Sequence, residues 1–263
     1  MLSVGLIGCG ALGSSLARLI DSGKAGEVSL VALYDLDREK AFRLGAEFGH
    51  APLVARSKEE FFSAPVMQLV VEAASQQAVE EHGESVLNSG RDLLVMSVGA
   101  LLDNGLRERL YKAAWRTGRT IYVPSGAVAG VDGLKAASLG KISFVQLVSR
   151  KPAKALGLHG LKKSKTVFSG TAEEAVKRFP LNINVAATLS LAGVGGKKTL
   201  VKLVADPRAK HNVHELTVKG DFGTLFSRCE NRALAENPKT SYLAALSAAS
   251  VLRQVSEPIR IGS

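Results

Sequence analysis

Cysteine is almost missing from this 263-residue chain, with Cys9 and Cys229 as its two thiols. Two isolated thiols supply neither a disulfide framework nor a zinc site, and no metal is expected. Aromatic residues make up 5% of the chain, with a single tryptophan. Acidic residues are outnumbered 24 to 34, for a formal charge of +10. Nucleic-acid binding would gather those cations into patches interleaved with aromatics. Here Lys162-Lys163-Ser164-Lys165 is the one cluster, and it reads as a solvated loop. A general positive field instead steers anionic substrates and cofactors toward a cleft. No apolar run approaches the roughly 18 residues of a membrane helix. The opening residues read as a strand rather than a secretory leader. No nucleic-acid or membrane partner is therefore expected, and a cytoplasmic enzyme fits best. With 46% hydrophobic residues, the chain has the apolar content for one or two globular domains.

Glycine is plentiful, and its placement is informative. GLIGCGALGSSLARLI, from Gly5, reads as a buried strand, a Gly8-x-Gly10-x-x-Gly13 turn and an amphipathic helix. Gly8 permits the tight turn, Gly10 lets backbone approach a pyrophosphate, and Gly13 lets the helix pack on the sheet. Ala11 and Leu12 complete the loop, where helix N–H groups and the helix dipole favour an anion. SLVALYDLD then ends a second strand at Asp35, 22 residues after Gly13. A carboxylate there accepts the ribose hydroxyls of an adenosine and repels the extra phosphate of NADP. Arg38, three residues on, is a cation within reach of such a phosphate. The carboxylate makes NAD the expected cofactor.

Up to Pro124, strand and helix signals alternate. DREKAFRLGAEFG, QQAVEEHGESVLNSG and LRERLYKAAWRTG read as helices, the last two stopped by Gly90 and Gly118. APLVA, MQLVVEAAS, DLLVMSVGAL and TIYVP read as strands. Apolar strands alternating with helices imply a doubly wound parallel sheet of the Rossmann type, with its ligand at the carboxyl ends of the strands. Those ends add Ala73, Ala74, Ser75, Ser97 and Val98 to the predicted cofactor contacts. Beyond Pro124, KISFVQLVSRKP, KTLVKLVADP, HELTVKG and GTLFSRCE resemble strands of a largely antiparallel sheet, with helices at AEEAVKRFP and NVAATLSLAG. The expected division is a dinucleotide-binding domain over 1–124, joined by a C-terminal helix over 238–263, and an α+β domain over 125–237. Tyr242, Leu243, Leu246, Ala249 and Leu252 mark one apolar face of that helix.

Few side chains of the second half carry chemistry. Of the five histidines, His50, His82 and His159 fall in a turn, a surface helix and a loop. His211 and His214, in ADPRAKHNVHEL, join one strand to the next, and local spacing leaves both open as a positioned base. Arg150 and Lys151 end a strand. Lys239, Thr240 and Ser241 begin the final helix, whose N-terminus favours an anion. These five are the candidates for binding a substrate.

GLIGCGALG, VVEAAS, VMSVGAL, VPSGAVAGVDGLKAA, SRKP, FPLNINVAATLSLAG, ADPRAKHNVHEL and ENPKTSYLAALSA together resemble the L-aspartate dehydrogenases of archaea and bacteria. The resemblance runs over essentially the whole chain, and its later motifs are absent from generic Rossmann enzymes. It implies oxidation of L-aspartate to iminoaspartate with NAD or NADP, so that, with Asp35 in place, NAD is expected as the preferred cofactor and NADP as a tolerated one. The imine then hydrolyses to oxaloacetate and ammonia or enters quinolinate and NAD biosynthesis through quinolinate synthase, and reductive amination of oxaloacetate is the reverse reaction. It further implies that His214 is the catalytic base, that Ala127 and Asn184 contact the cofactor (with Asn182 competing for Asn184), and that the second domain binds substrate and forms a homodimer. The sequence departs from the family at NRALAE and in the basic HGLKKSK loop. The rival readings are a dehydrogenase of another small amino or hydroxy acid, and an NAD-sensing protein without turnover.

Overall fold

The computed structural model describes residues 1–64, 66–179, 184–234 and 236–262, with only the backbone at 238 and 239. They form two compact units, Met1–Pro124 with Ala245–Ile261, and Ser125–Ala244 with Gly262.

The first unit alternates strand and helix: β1 (Leu2–Ile7), α1 (Ala11–Asp21), β2 (Val28–Tyr34), α2 (Arg38–Gly45), β3 (Leu53–Val54) and α3 (Lys58–Ser63). It continues through β4 (Leu69–Glu72), α4 (Gln76–Asn88), β5 (Asp92–Val95), a 3-10 turn over Val98–Leu102, α5 (Asn104–Thr117) and β6 (Ile121–Tyr122). The strands form one parallel sheet in the order β3-β2-β1-β4-β5-β6. Leu6, Leu30, Leu33, Leu69, Leu93 and Leu94 are buried in it, each stabilising the fold by about 1.5–3 kcal/mol. In α1 the buried positions Gly13, Leu16, Ala17 and Ile20 recur at helical spacing. DLLVMSVGAL is strand only to Val95. Ser97 and Val98 enter the 3-10 turn, where Ser97 leaves the extended conformation at φ −85°, ψ 55°.

The second unit holds α6 (Val131–Ala137), β7 (Ile142–Pro152), β8 (Lys165–Thr171), α7 (Ala172–Arg178), α8 (Asn184–Ala192), β9 (Leu200–Asp206), β10 (Asn212–Gly220), β11 (Gly223–Asn231), β12 (Ala233–Leu234) and β13 (Asn237–Ser241). Its five-stranded sheet runs β11-β10-β7-β9-β8, antiparallel except for the parallel pair β7 and β9. β8 follows directly on the basic loop and was not anticipated from its sequence. β12 and β13 make a separate antiparallel pair. Lys239, Thr240 and Ser241 therefore end a strand instead of starting the helix. The last helix, α9, spans Tyr242–Ser256. Its buried face is Ala245, Ala248, Ala249 and Leu252, whereas Tyr242 and Leu246 stay 38% and 37% exposed. Alanines permit a closer helix approach, so the small stripe packs inward and the larger side chains turn out. Among the described residues, no helix is long and apolar enough to cross a membrane.

Candidate active site

The carboxyl ends of β1, β2 and β4 in the first unit frame a cavity of about 280 Å³. Its wall includes Gly8, Gly10, Asp35, Ala73, Ala74 and Ser75. Gly8 adopts φ +98°, and a β-carbon there would lie 2.7 Å from the backbone of Ala73 and Ala74. At Gly13 a β-carbon would collide with the carbonyl of Gly8, whereas at Gly10 it would meet open space. Gly10 caps α1 without a side-chain acceptor, and the first turn holds no acidic residue. This donor-rich helix start beside an open glycine fits a phosphate of the dinucleotide class.

Two carboxylates organise the cradle. Asp35 accepts N–H groups from Cys9 at 2.6 Å and Asp37 at 2.8 Å, which ties the glycine loop to the end of β2. Glu72 is fully buried at the end of β4 and accepts four hydrogen bonds. They come from the N–H groups of Ala74 (2.8 Å), Ser75 (2.9 Å) and Ser97 (3.0 Å), and from the Ser97 hydroxyl (2.8 Å). One carboxylate thus fixes the loops after β4 and β5 together. Burial raises its pKa, and the Ser97, Ala74 and Ser75 donors draw it back down. Cys9 is inert as a nucleophile, because burial, reinforced by Asp35, pushes its thiol up to about 12.

In the second unit, β7 and β10 pair so that His214 lies opposite Ser149. The Ser149 hydroxyl is 3.1 Å from His214 Nδ1. Alternation along the strands puts Lys151 on the same side as Ser149, and Asn212 on the same side as His214. Lys151 and His214 are 3% and 4% exposed. Burial, and then the charge of Lys151, lowers the His214 pKa to about 3, so the imidazole is neutral. Asn212 Nδ2 donates to the Ser241 hydroxyl at 3.3 Å. Asn231, opposite Asn212 on β11, donates to the carbonyl of Ala127 at 2.9 Å. A neutral imidazole, an ammonium and an amide are thereby gathered on one buried face.

Residues 132–255 match the family model described as aspartate dehydrogenase, C-terminal, and residues 8–124 match homoserine dehydrogenase, NAD binding domain. The chain is 45% identical to the L-aspartate dehydrogenase of Methanosarcina barkeri, over all of both chains. It is likewise 45% identical to that of Methanothermobacter thermautotrophicus, over all of this chain and 99% of the relative. The chain belongs to the aspartate dehydrogenase family. Among solved structures, the aspartate dehydrogenase of Thermotoga maritima superposes with a TM-score of 0.79 at 32% identity, over all of both chains.

In this member of the aspartate dehydrogenase family, Gly8, Gly10, Asp35, Ala73, Ala74 and Ser75 converge on one cavity. Ala11, Leu12 and Gly13 form the first turn of α1, and Ser97 and Val98 are buried beside Glu72. Ser75 also caps α4, accepting the N–H of Ala78 at 3.1 Å. Ala127 and Asn184 belong to the second unit, with Asn184 opening α8, and Asn182 lies outside the described residues. Arg150 departs from expectation. It faces away from His214 and pairs with Asp206 at 3.3 Å, while its neighbour Lys151 points inward. Ser241 reaches the buried cluster through Asn212, Thr240 is half-buried, and the Lys239 side chain lies outside the described residues. Arg38 is exposed and does not line the cavity, whereas Lys40 does, 3.2 Å from Asp37.

Glu72, Lys40 and His82 are the site residues that sequence reasoning missed. Instead of lying on the surface, His82 lines the cavity edge-on to Tyr34, with ring centres 6.0 Å apart. Burial lowers its pKa. The available signal for Glu72 was a lone charge at the end of an otherwise apolar strand, where solvation alone does not account for it.

Among the described residues, no group of three or more His, Cys, Asp or Glu side chains is placed to hold a metal ion.

Proposed function

We propose that this protein oxidises L-aspartate to iminoaspartate, with NAD preferred over NADP and with His214 as the base. The observation that carries the reading is a buried neutral imidazole sharing one sheet face with an ammonium group, in a chain of this family. Bound on the glycine loop, the nicotinamide ring supplies the acceptor for the Cα hydrogen and its electron pair. The amine must lose a proton before its lone pair can form the carbon–nitrogen double bond. His214 Nε2 accepts that proton when Nδ1 carries the ring hydrogen and donates it to Ser149 Oγ. An imidazole with a pKa of about 3 is a poor base toward the substrate ammonium, which is more basic than a peptide α-amino group at about 8. Burial is the larger cause of that low value and the Lys151 charge the smaller; pairing of Lys151 with a substrate carboxylate removes the second, so the imidazole pKa rises on substrate binding. Asn184 and Ala127 are assigned to the cofactor.

The imine hydrolyses to oxaloacetate and ammonia or passes to a quinolinate synthase for NAD biosynthesis, and reductive amination is the reverse reaction. A cytoplasmic homodimer formed through the outer face of the second sheet fits Phe226 on β11, which is 63% exposed in the single chain. Its mass in solution tests that assembly.

A substrate panel tests the activity. With NAD, L-aspartate is expected to exceed D-aspartate, L-glutamate, L-alanine and L-malate in kcat/KM by on the order of a hundredfold. Preference for L-malate or L-alanine would replace the reading with another dehydrogenase. For the cofactor, Asp35→Ala is expected to narrow the NAD-to-NADP ratio of kcat/KM by roughly tenfold, equivalent to about 1.4 kcal/mol of discrimination. Lys40→Met is expected to lower the NADP value alone. An unchanged ratio in Asp35→Ala removes the carboxylate from cofactor choice.

A further inference from the structure

Asn212 begins β10 and is 2% exposed. Its Nδ2 is held by Ser241, while Oδ1 has no hydrogen-bond partner. An unpaired buried acceptor has given up its hydration without a bond in return. At a functional face that loss is recovered when a ligand brings the missing donor. Asn212 lies one alternate position from His214, about 7 Å along the strand. The shared face therefore offers two acceptors, the Asn212 carbonyl and the imidazole lone pair, with the Lys151 ammonium on the neighbouring strand. Two acceptors and a cation complement an amino group and a carboxylate carried by one small molecule. Asn231, the other buried amide of this row, has its Nδ2 committed to Ala127.

We propose that Asn212 is the residue that recognises the amino group of the substrate, its Oδ1 accepting one N–H while His214 takes the proton of another. This rests on the reading of the chain as an amino-acid dehydrogenase. As the Cα hydrogen leaves with its electron pair, the nitrogen lone pair becomes the second bond to Cα and positive charge grows on nitrogen. The Asn212 carbonyl dipole is aimed at that charge, so it favours the transition state over the neutral amine. Ser241 keeps the amide in the orientation this requires.

The test compares L-aspartate with succinate, a dicarboxylate of the same length that lacks the amine, in the NAD-saturated enzyme. In Asn212→Ala the KM for L-aspartate is expected to rise at least tenfold and kcat to fall, with the Ki of succinate within twofold of wild type. If Asn212→Ala loses cofactor binding or its cooperative melt, Asn212→Asp carries the test. It keeps an oxygen at the same place and adds a negative charge that an ammonium tolerates and succinate does not. The aspartate KM then stays within about threefold while the succinate Ki rises about tenfold or more. Parallel shifts of KM and Ki in either variant, or no shift in either, overturn the assignment. A wild type that ignores aspartate overturns the parent reading instead, so the two failures are distinguishable.

Discussion

Replacing His214 with alanine is expected to lower kcat/KM for L-aspartate on the order of a thousandfold, the middle of the range for removal of a general base. The affinity for NAD, proposed to rest on the glycine loop of the first unit, should stay within about twofold. Ser149 makes the loss specific to the imidazole: it holds Nδ1 from the neighbouring strand, and no other group on that rung carries a basic nitrogen. Stability supplies a second readout with a defined sign. The native His214 pKa of about 3 lies below its unfolded value near 6.5. The unfolded chain therefore takes up the proton first as the solution is acidified. The stability contributed by a neutral His214 is complete above pH ~6.5 and is lost as pH falls toward about 3. His214→Gln keeps much of the volume without titrating, and its melting temperature should decline less steeply over that window. A wild-type slope in the variant contradicts a neutral buried imidazole. Equal turnover in wild type and His214→Ala removes it as the base and turns attention to His211.

Glu72→Ala should produce a large loss of stability in the first unit. Three N–H groups and the Ser97 hydroxyl would lose their acceptor at once. The two Ser97 donors are buried, and each orphaned buried donor costs about 1–3 kcal/mol; with water taking up the part-buried N–H groups of Ala74 and Ser75, a total of about 3 kcal/mol is expected. For a chain of this size that lowers the melting temperature by about 6–12 °C. The same change releases Ala74 and Ser75 of the cavity wall, so the Kd for NAD should rise about tenfold. Glu72→Gln, which keeps one carbonyl oxygen but turns an NH2 group toward donors, should fall between alanine and wild type. Calorimetry of unfolding and of NAD binding reads both effects. A melting temperature within about 2 °C of wild type would show that the loops after β4 and β5 hold themselves in place.

The features legible in the sequence are those with a local cause. The glycine turn, the apolar runs of β1, β4 and β5, and the helix stops at Gly90 and Gly118 each follow from backbone sterics or burial along a short stretch. What stayed hidden depends on register and parity. Arg150 and Lys151 are adjacent and equally cationic, and only the pairing of β7 with β10 decides which one shares a face with His214. α9 offers two apolar stripes, and the choice of the alanine stripe is made by packing. Its anticipated start at Lys239 failed because Asn237–Ser241 pairs with Ala233–Leu234, a contact that no helix pattern records. Lys40 rather than Arg38 lines the cavity, and distance along the chain does not tell which side of the first helical turn meets it. Between His211 and His214 local spacing left an even choice. The resemblance to a family selected His214, and the structure shows it buried against Ser149 and near Lys151.

The most direct measurement of the central claim follows the Cα hydrogen itself. L-aspartate deuterated at Cα is incubated with NAD and the wild-type protein, and the reduced nicotinamide is examined by mass spectrometry. The account predicts one deuterium on the nicotinamide for each aspartate consumed, with ammonia released in the same amount. Failure to reduce NAD with L-aspartate, or reduced nicotinamide without the label, would contradict it.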